Sequence, residues 1–441
     1  MDFKKLEQKA LEAGIKEVEL YTEKKKSSDI SVFDDKVSEK TEALTSVYAI
    51  RGVYNNQLAT VYTEKDTDDE VDAVINQLKT NATYLTSDEP YFIYPGDKDY
   101  VKVDSVPNDF LTVSTEDKIK LLLDISKSLK EKNNLYLHSE VEYEEIEGEV
   151  SIKNTSGLDV KKTYSYAVIV ASLILKLEGE MKDAYNIKFV KNLSDFNMGD
   201  FVKELSDKVN QKLGAKSIKS GTYKVVLKNN VLNSLMNAFS ANFSAANVKR
   251  KLSFLEGCLD KQVFGKNITI IDDPFYKDLP VIDTFDDEGV STKMKEVVKD
   301  GVLKTYLHNL STASFYHTKS TGNGIKPSVK DAVGVSPINF CLKPGNVSFS
   351  ELVREVKDGV LITDVTGLHA GVNAVSGDFN LQCSGNLIKN GVVDKPVTLI
   401  VLSGNFKDLL NQVEDIANDV YTMRGMSMPS IYVKSMNISG I

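Results

Sequence analysis

The second half of the chain contains three Asx-Gly pairs, each flanked by apolar residues. The pairs are Asp300-Gly301, Asp358-Gly359 and Asn390-Gly391. A type I′ hairpin turn requires positive φ at both central residues, and Asn, Asp and Gly adopt that conformation most readily. Each pair therefore predicts a tight antiparallel hairpin, and this region is predicted to be mostly β structure.

The first half alternates strands with helices. Strands are predicted at Val18–Thr22, Ile30–Phe33, Leu44–Tyr54, Leu58–Tyr62 and Leu135–Leu177. Asn55-Asn56 is a predicted hairpin turn, and a further turn is predicted at 154–157, within the last segment. Helices are predicted from apolar residues at i, i+3, i+4 and i+7, and they cover 2–13, 68–79, 115–131 and 199–213. Asp2 and Ser114 stand where N-caps are expected. The proline-containing stretch 84–113 is predicted to be a surface loop.

The two halves also differ in charge and glycine content. Residues 1–220 carry 31 Lys and Arg against 41 Asp and Glu, whereas residues 221–441 carry 23 against 22, and 18 of the 26 glycines lie in the second half. We therefore predict an α+β protein of two domains: an N-terminal α+β domain over 1–214, and a C-terminal, mostly β domain over 221–441. The second is expected to be a curved or barrel-like sheet with a few helices, at about 230–243 and 406–418.

Several function classes are disfavoured. The net charge of −9 gives no basic surface for direct nucleic-acid binding. Neither GxxxxGK[ST], GxGxxG nor GxSxG occurs, so no phosphate cradle or nucleophile elbow of those types is present. A charged N-terminus, three cysteines and no apolar run of about 20 residues predict a cytoplasmic protein without a membrane segment.

A metal site is not evident from spacing. The four histidines have no helical i, i+4 pair and there is no CxxC motif. Folding could still gather His308, His317 and Cys341, although each residue can equally be a hydrogen-bonded structural residue. No cofactor is predicted for this chain.

An ordered set of strings in the second half resembles the TldD/PmbA family, historically labelled modulators of DNA gyrase. The strings are DEGVST (287–292), DGVLKTYLHNL (300–310), STGN (320–323), GLHAGVNAVSGDF (367–379), SG (384–385) and SGN (403–405). The last three look like the PmbA (TldE) branch in particular. The likeness is detailed over roughly 250–410 and only architectural before about 215.

The resemblance implies cytoplasmic peptidase machinery that acts on unfolded or flexible polypeptides. TldD-type subunits carry an HExxxH helix that binds zinc together with a C-terminal cysteine, and PmbA-type subunits lack it and pair with them. Here the helix that should hold the motif is 230–243, and neither His nor Glu occurs between Gly221 and Leu255. No cysteine follows Val420. Zinc is therefore expected in a TldD-like partner.

Seven residues are candidates for a peptide groove. His369, Asn373, Ser376 and Asp378 lie in or beside a glycine-bracketed loop whose backbone could pair with an extended peptide, or whose polar side chains could simply brace the loop. Tyr306, His308 and Asn309 follow a predicted hairpin, where strand alternation would direct Tyr306 and His308 to the same face. Both residues could equally be packed structural residues.

Three functions remain open. The first is a non-catalytic PmbA/TldE-like subunit of a TldD-type zinc metalloprotease, forming a heterodimer that binds unfolded peptide. The second is an independently active peptidase with an atypical site. The third is a stand-alone homodimeric peptide-binding protein.

Overall fold

The computed structural model describes residues 1–86, 91–103, 108–279, 281–423 and 425–441. The chain forms two compact units. Unit 1 comprises Met1–Lys208, Pro280–Thr292 and Asn309–Gly334, and unit 2 comprises Val209–Leu279, Lys293–His308 and Val335–Ile441. Two segments of the C-terminal half thus belong to unit 1. The predicted division between 214 and 221 stays a prediction.

Unit 1 is built on one antiparallel sheet in the order β3-β2-β1-β4-β5-β6. The strands are β1 (Glu17–Phe33), β2 (Lys36–Tyr54), β3 (Gln57–Thr63), β4 (Tyr136–Asn154), β5 (Asp159–Leu177) and β6 (Glu180–Val190). The hairpin turn predicted at Asn55-Asn56 is confirmed, since both residues have positive φ. Strands predicted at 18–22 and 30–33 are one continuous strand, and a second positive-φ turn at Asp34 and Asp35 joins it to β2.

Helices cover the sheet of unit 1. They are α1 (Phe3–Glu12), α2 (Asp68–Tyr84), α3 (Thr115–Lys132) and α4 (Met198–Asn210), with a 3-10 turn at Leu193–Asp195. The predicted caps are confirmed, because the side chains of Asp2 and Ser114 accept hydrogen bonds from Lys4 N and Asp117 N. Val71, Val74 and Leu78 of α2 pack into the core against β1 and β2. The described part of the predicted 84–113 loop has no helix or strand after Tyr84, and residues 87–90 and 104–107 lie outside the described residues.

Unit 2 contains a closed five-stranded barrel, which confirms the barrel-like prediction. The strands of this sheet are β7 (Gly221–Leu227), β14 (Gly359–Thr366), β15 (Asp378–Lys389), β16 (Val392–Asn405), β17 (Val413–Ile416) and β20 (Ile431–Ser439). The barrel strands follow the order β16-β15-β14-β7-β20, and pairing of β20 with β16 closes the barrel. Strand β17 pairs with β20 from outside this ring of five. Closing the sheet removes its free edges. The core is apolar and includes Val225, Ile362, Leu381 and Leu402.

Shorter elements complete the chain. A second sheet of unit 2 comprises β8 (Ile270–Asp272), β9 (Lys295–Lys299), β10 (Val302–Leu303), β13 (Phe340–Leu342), β18 (Tyr421–Met423) and β19 (Met426–Met428), and β11 (Gly324–Ile325) pairs with β12 (Gly334–Val335). The remaining helices are α5 (Asn229–Phe239), α6 (Ala245–Lys249), α7 (Leu310–Phe315), α8 (Phe349–Val356), α9 (Leu368–Gly371) and α10 (Phe406–Asn411), with a 3-10 turn at Ser240–Phe243. None of the helices in the described ranges has the length and apolar composition needed to cross a membrane.

Two of the three Asx-Gly predictions are confirmed. Asp300-Gly301 joins β9 to β10 and Asn390-Gly391 joins β15 to β16, with positive φ at all four residues. The third is wrong: Lys357 takes the positive φ at the end of α8, and Gly359 already begins β14. The helix predicted over 406–418 is too long, because α10 ends at Asn411 and β17 follows.

Candidate functional site

Helix α5 lies in the segment that would carry the HExxxH motif in a TldD-type subunit. Its buried side chains are apolar except for Asn233, which is 4% exposed. The Asn233 amide Nδ2 donates to Met426 O at 2.8 Å and lies 3.4 Å from both Tyr421 O and Met423 O. An amide group therefore fastens α5 to the C-terminal strands β18 and β19.

The donor chemistry around α5 does not fit zinc. Zinc sites in proteins are built from Cys, His and carboxylate ligands, and the polar residues that α5 offers are Asn and Ser. The amide of Asn230 is also engaged, donating to Thr363 O at 3.0 Å. Among the described residues, no three or more His, Cys, Asp or Glu side chains form a group that could hold a metal, so His308, His317 and Cys341 are not gathered into one.

An open groove of about 560 Å³ lies on unit 2 where β14 and β15 run into α9. Asp378, Asn380 and Gln382 lie along it on alternate positions of β15, and all three side chains are exposed. Period-two alternation puts these side chains on one face of the strand, while Phe379 and Leu381 point into the core. The rest of the lining comes from Thr366, Gly367, Ala370, Gly371, Val372 and Asn373.

Hydrogen bonds fix the loop beside this groove. Ser376 Oγ donates to Asp378 Oδ2 at 2.7 Å, and Asn405 Nδ2 donates to Asp378 Oδ1 at 2.9 Å. The bonds from Asn405 and Ser376 hold the pKa of Asp378 below its ordinary value. Asn373 Oδ1 in turn accepts from the backbone N–H groups of Val375 and Ser376. The groove thus presents a fixed carboxylate and a row of amides.

Glycine is required at one point of the groove wall. A Cβ on Gly371 would lie 2.2 Å from Asn380 O, closer than any real contact, so the loop can approach β15 only without a side chain here. Val372 bridges to Phe379 as a consequence. The loop lies against the strand by its backbone.

The other predicted site residues lie in different surroundings. His369 is exposed on α9. Tyr306 and His308 are buried in unit 2, at 7% and 5% exposure, and the Tyr306 hydroxyl donates to Leu255 O at 2.6 Å. Asn309 caps α7 through a capping box with Thr312. Strand β10 ends at Leu303, so strand alternation does not reach these residues. Their role in a groove stays a prediction.

Three consecutive acidic residues of unit 1 form a second polar site. Asp286 is fully buried, and its carboxylate accepts from Glu288 N, Val290 N and Gly324 N at 2.8–3.0 Å. Glu288 is 5% exposed and accepts from Leu310 N at 2.7 Å. Within unit 1, these bonds connect Asp286, the residue before the DEGVST string, to Gly324, the residue after STGN.

Burial dominates the ionisation of this second site. It raises the pKa of Asp286 to about 8, with the charge of Glu288 adding to the shift and three backbone N–H donors opposing it. Burial likewise raises the pKa of Glu288 to about 7, against the Leu310 N–H and the charge of Arg51. Arg51 itself pairs with buried Glu19 at 2.5 Å. The site therefore holds carboxyl groups that titrate near neutral pH.

Sequence reasoning missed a set of tyrosine and lysine side chains near this site. Lys162, Tyr164 and Tyr166 alternate along β5 and line one pocket of unit 1 together with Tyr21 and Lys326. The period-two pattern Lys-x-Tyr-x-Tyr was a usable signal for a shared face. That this face meets residues 326–329 could not be read from local sequence.

Models of three successive family domains match the chain. They describe PmbA/TldA metallopeptidase domain 1 at residues 18–82, the central domain at 108–213 and the C-terminal domain at 220–440. The chain belongs to the PmbA/TldD family. The resemblance of the second-half strings is thereby confirmed, and it extends to the first half as well.

Relatives of this PmbA/TldD chain carry metalloprotease names. The metalloprotease PmbA of Escherichia coli O157:H7 is 26% identical over 269 residues, which cover 61% of this chain and 57% of that protein. The zinc metalloprotease TldD homolog of Saccharolobus solfataricus is 24% identical over 98% of both chains. The chain thus spans about three fifths of the length of the first curated relatives it matches, with 57% and 61% of the Escherichia coli and Haemophilus influenzae proteins covered.

Solved structures share the fold. A proposed modulator of a DNA gyrase from Thermotoga maritima is 28% identical, with a TM-score of 0.91 over 99% of this chain and 100% of its own. TldE from Thermococcus kodakarensis has a TM-score of 0.89 over 99% of this chain and 100% of its own. At 20% identity, the second likeness concerns the fold alone.

Proposed function

We propose that this chain is a non-catalytic, PmbA/TldE-like subunit of a two-subunit zinc metalloprotease. Its partner would be a TldD-like subunit that holds the zinc, and the pair would degrade or process unfolded or flexible peptides. The observation that carries the proposal is helix α5, where Asn233 and Asn230 bind backbone carbonyls and no zinc ligand is offered. Water activation by a metal is assigned to the partner for that reason.

The part assigned to this chain is peptide binding in the groove beside β15. Asn380 and Gln382 offer both donors and acceptors, which an extended backbone can use without regard to its sequence. Asp378 is kept ionised by Asn405 and Ser376, so it can bind a cationic side chain or a peptide amino group. The amides of this groove suit varied substrates, because they can pair with the backbone of any extended peptide.

The proposed location is the cytoplasm. It is supported by the three cysteines, which are all free, with Cys341 and Cys383 buried. Burial raises the pKa of both thiols to about 12. Such thiols are inert structural residues.

Reconstitution with a TldD-like subunit tests the proposal. The two proteins are mixed, their association is measured by size-exclusion chromatography with light scattering, and cleavage of reduced, carboxymethylated casein is followed. We expect a heterodimer and a cleavage rate well above that of the TldD-like subunit alone. Failure to associate and to accelerate cleavage would contradict the proposal. A homodimer that binds the casein unaided would favour the stand-alone peptide-binding protein.

A groove variant separates binding from assembly. Asp378→Asn removes the fixed charge, and we expect the KM of the reconstituted enzyme for a lysine-containing peptide to rise about tenfold, equivalent to about 1.4 kcal/mol, with kcat nearly unchanged. Asp394→Asn is the matched control, since Asp394 is an exposed carboxylate on β16 of the same barrel and does not line the groove. Equal effects of the two substitutions would count against the groove.

A further inference from the structure

Unit 1 contains a pocket of about 400 Å³ on the face of its sheet that carries Tyr21 and Tyr166. That size lies within the range of small-ligand sites. Apolar side chains and tyrosine rings form much of its wall, and charged groups converge on it. Its charged lining consists of the lysines Lys25, Lys162 and Lys326 and the acids Glu23, Asp283 and Asp287.

The carboxylates of this pocket already have partners. Lys162 Nζ donates to Asp283 Oδ1 at 2.5 Å. The Tyr21 hydroxyl donates to Asp287 Oδ1 at 2.9 Å, and the backbone N–H of Lys326 donates to Asp287 Oδ2 at 2.7 Å. The third acid, Glu23, accepts from the Tyr164 hydroxyl at 3.3 Å. Each of the three carboxylates thus already accepts a hydrogen bond, and Asp283 is in addition ion-paired with Lys162.

Two lysine amines of the pocket are placed differently. Lys326 Nζ lies 4.3 Å from the centroid of the Tyr21 ring, a cation–π contact. Within the described part of the chain, neither Lys326 nor Lys25 forms an ion pair with a carboxylate. By contrast, Lys162 is paired with Asp283. Two ammonium groups at this pocket therefore lack an ion-pair partner in the part of the chain that the structure describes, whereas each of its three carboxylates accepts at least one hydrogen bond.

Burial acts against the charge of the Lys326 ammonium group. Burial, followed by the charge of Arg51, lowers the pKa of Lys326. The groups that oppose this shift are the carboxylates Asp287, Glu19 and Glu288. Burial and Asp287 raise the pKa of Tyr21, so its hydroxyl stays protonated and bound to that carboxylate. An incoming anion would offset the desolvation of the Lys326 ammonium group.

We propose that this pocket binds the free C-terminal carboxylate of a peptide, with Lys326 as the ion-pair partner and Lys25 as a second cation. The terminal side chain would lie against Tyr166 and Val150, which line the same pocket. Lysine ammonium groups can pair with a carboxylate as point charges, and no arginine is among the described residues that line this pocket. The inference rests on the proposed peptide-binding function, and it adds recognition of one peptide end.

Fluorescence anisotropy of the isolated full chain tests this proposal without partner or zinc. The probe is N-terminally fluorescein-labelled Ala-Ala-Ala-Ala-Phe, as the free acid and as the C-terminal amide. We expect the free acid to bind at least tenfold more tightly at pH 7. Equal affinity of acid and amide would overturn the proposal. Displacement of the free acid by inorganic phosphate at comparable affinity would overturn it too, because it would indicate a general anion site.

Variants locate the binding to this pocket. Lys326→Met keeps the length of the side chain and removes its charge, and we expect it to abolish the preference for the free acid. Lys330→Met is the control, since Lys330 is exposed and pairs with Glu64 at 2.9 Å. Lys25→Met probes a separate strand and is expected to weaken the preference severalfold, so the test survives if Lys326→Met does not fold. An unchanged preference in folded Lys326→Met, or in Lys25→Met if only that variant folds, would contradict the assignment.

The pH dependence supplies an independent readout. Because the pKa of Lys326 is lowered, the free-acid preference should be lost at a lower pH than that at which an exposed lysine loses its charge. A preference that persists until an exposed lysine loses its charge would oppose the role of Lys326. Asp394→Asn should leave the preference intact, because Asp394 is exposed on β16 of unit 2 and does not line this pocket. Reconstituted cleavage without any free-acid preference would refute this inference alone.

Discussion

Replacing Asn233 by leucine tests whether an amide fastens α5 to the C-terminal strands. Leucine has the same number of side-chain heavy atoms and the same branching at Cγ, and the substitution removes the donor that Asn233 Nδ2 provides to Met426 O at 2.8 Å. The contacts at 3.4 Å to Tyr421 O and Met423 O are long and add little. Loss of one buried hydrogen bond, with its acceptor left less satisfied, costs about 1–3 kcal/mol. We expect the free energy of unfolding to fall by that amount.

The assay is urea unfolding followed by circular dichroism, with linear extrapolation to water. Asn237→Leu is the matched control, because Asn237 is an exposed asparagine on the same helix and should change stability by no more than about 0.5 kcal/mol. Equal changes for the two variants, or no change for Asn233→Leu, would refute the reasoning.

A charged variant adds a pH signature. In Asn233→Asp, the carboxylate would be buried and would face backbone carbonyl oxygens, so its folded-state pKa should be raised above the ordinary value of about 3.9. A raised folded pKa means that the folded state binds the proton more tightly than the unfolded state. The variant should therefore gain stability relative to the parent chain as the pH falls toward 4, because the protonated carboxyl can donate.

Two further perturbations address the barrel and the buried acids. Gly385→Ala would place a Cβ 1.8 Å from Leu361 O, so we expect the free energy of unfolding, measured with urea, to fall by about 3 kcal/mol or more. We expect a smaller decrease for Gly404→Ala, because the atoms nearest to the added Cβ belong to side chains. Glu288 has its pKa raised from 4.5 to about 7, so its contribution to stability is greatest below pH 4.5 and is lost as the pH rises through 7. The free energy of unfolding, measured at pH 5, 6, 7 and 8, should decline less steeply with pH in Glu288→Gln than in the parent chain. Identical pH dependences of the two proteins would contradict the burial argument.

The sequence predicts the elements whose signals are local. Helix α3 begins after the predicted cap Ser114, and the turn at Asn390-Gly391 has the φ angles that its residues favour. Asp358-Gly359 carries the same signal, yet α8 ends at Val356 and its C-cap residue Lys357 takes the positive φ. Local chemistry alone could not distinguish the two outcomes.

Errors elsewhere have a tertiary cause. Val413 and Ile416 continue a helical spacing after α10, but pairing with β20 converts them to strand. The pocket of unit 1 combines β1, β4 and β5 with residues 281–287 and 326–329, which are distant in sequence. Only the alternation on β5 was visible in advance. The groove residues Asn373 and Asp378 were accessible to prediction because they lie within one loop and its following strand.

Cleavage by the purified chain alone tests the central claim most directly. Reduced, carboxymethylated casein is incubated with the chain in parallel with and without a metal chelator, and products are resolved by mass spectrometry. A subunit whose α5 offers amides in place of zinc ligands should give no cleavage in either sample. Chelator-sensitive cleavage that follows this chain through further purification steps would contradict the account.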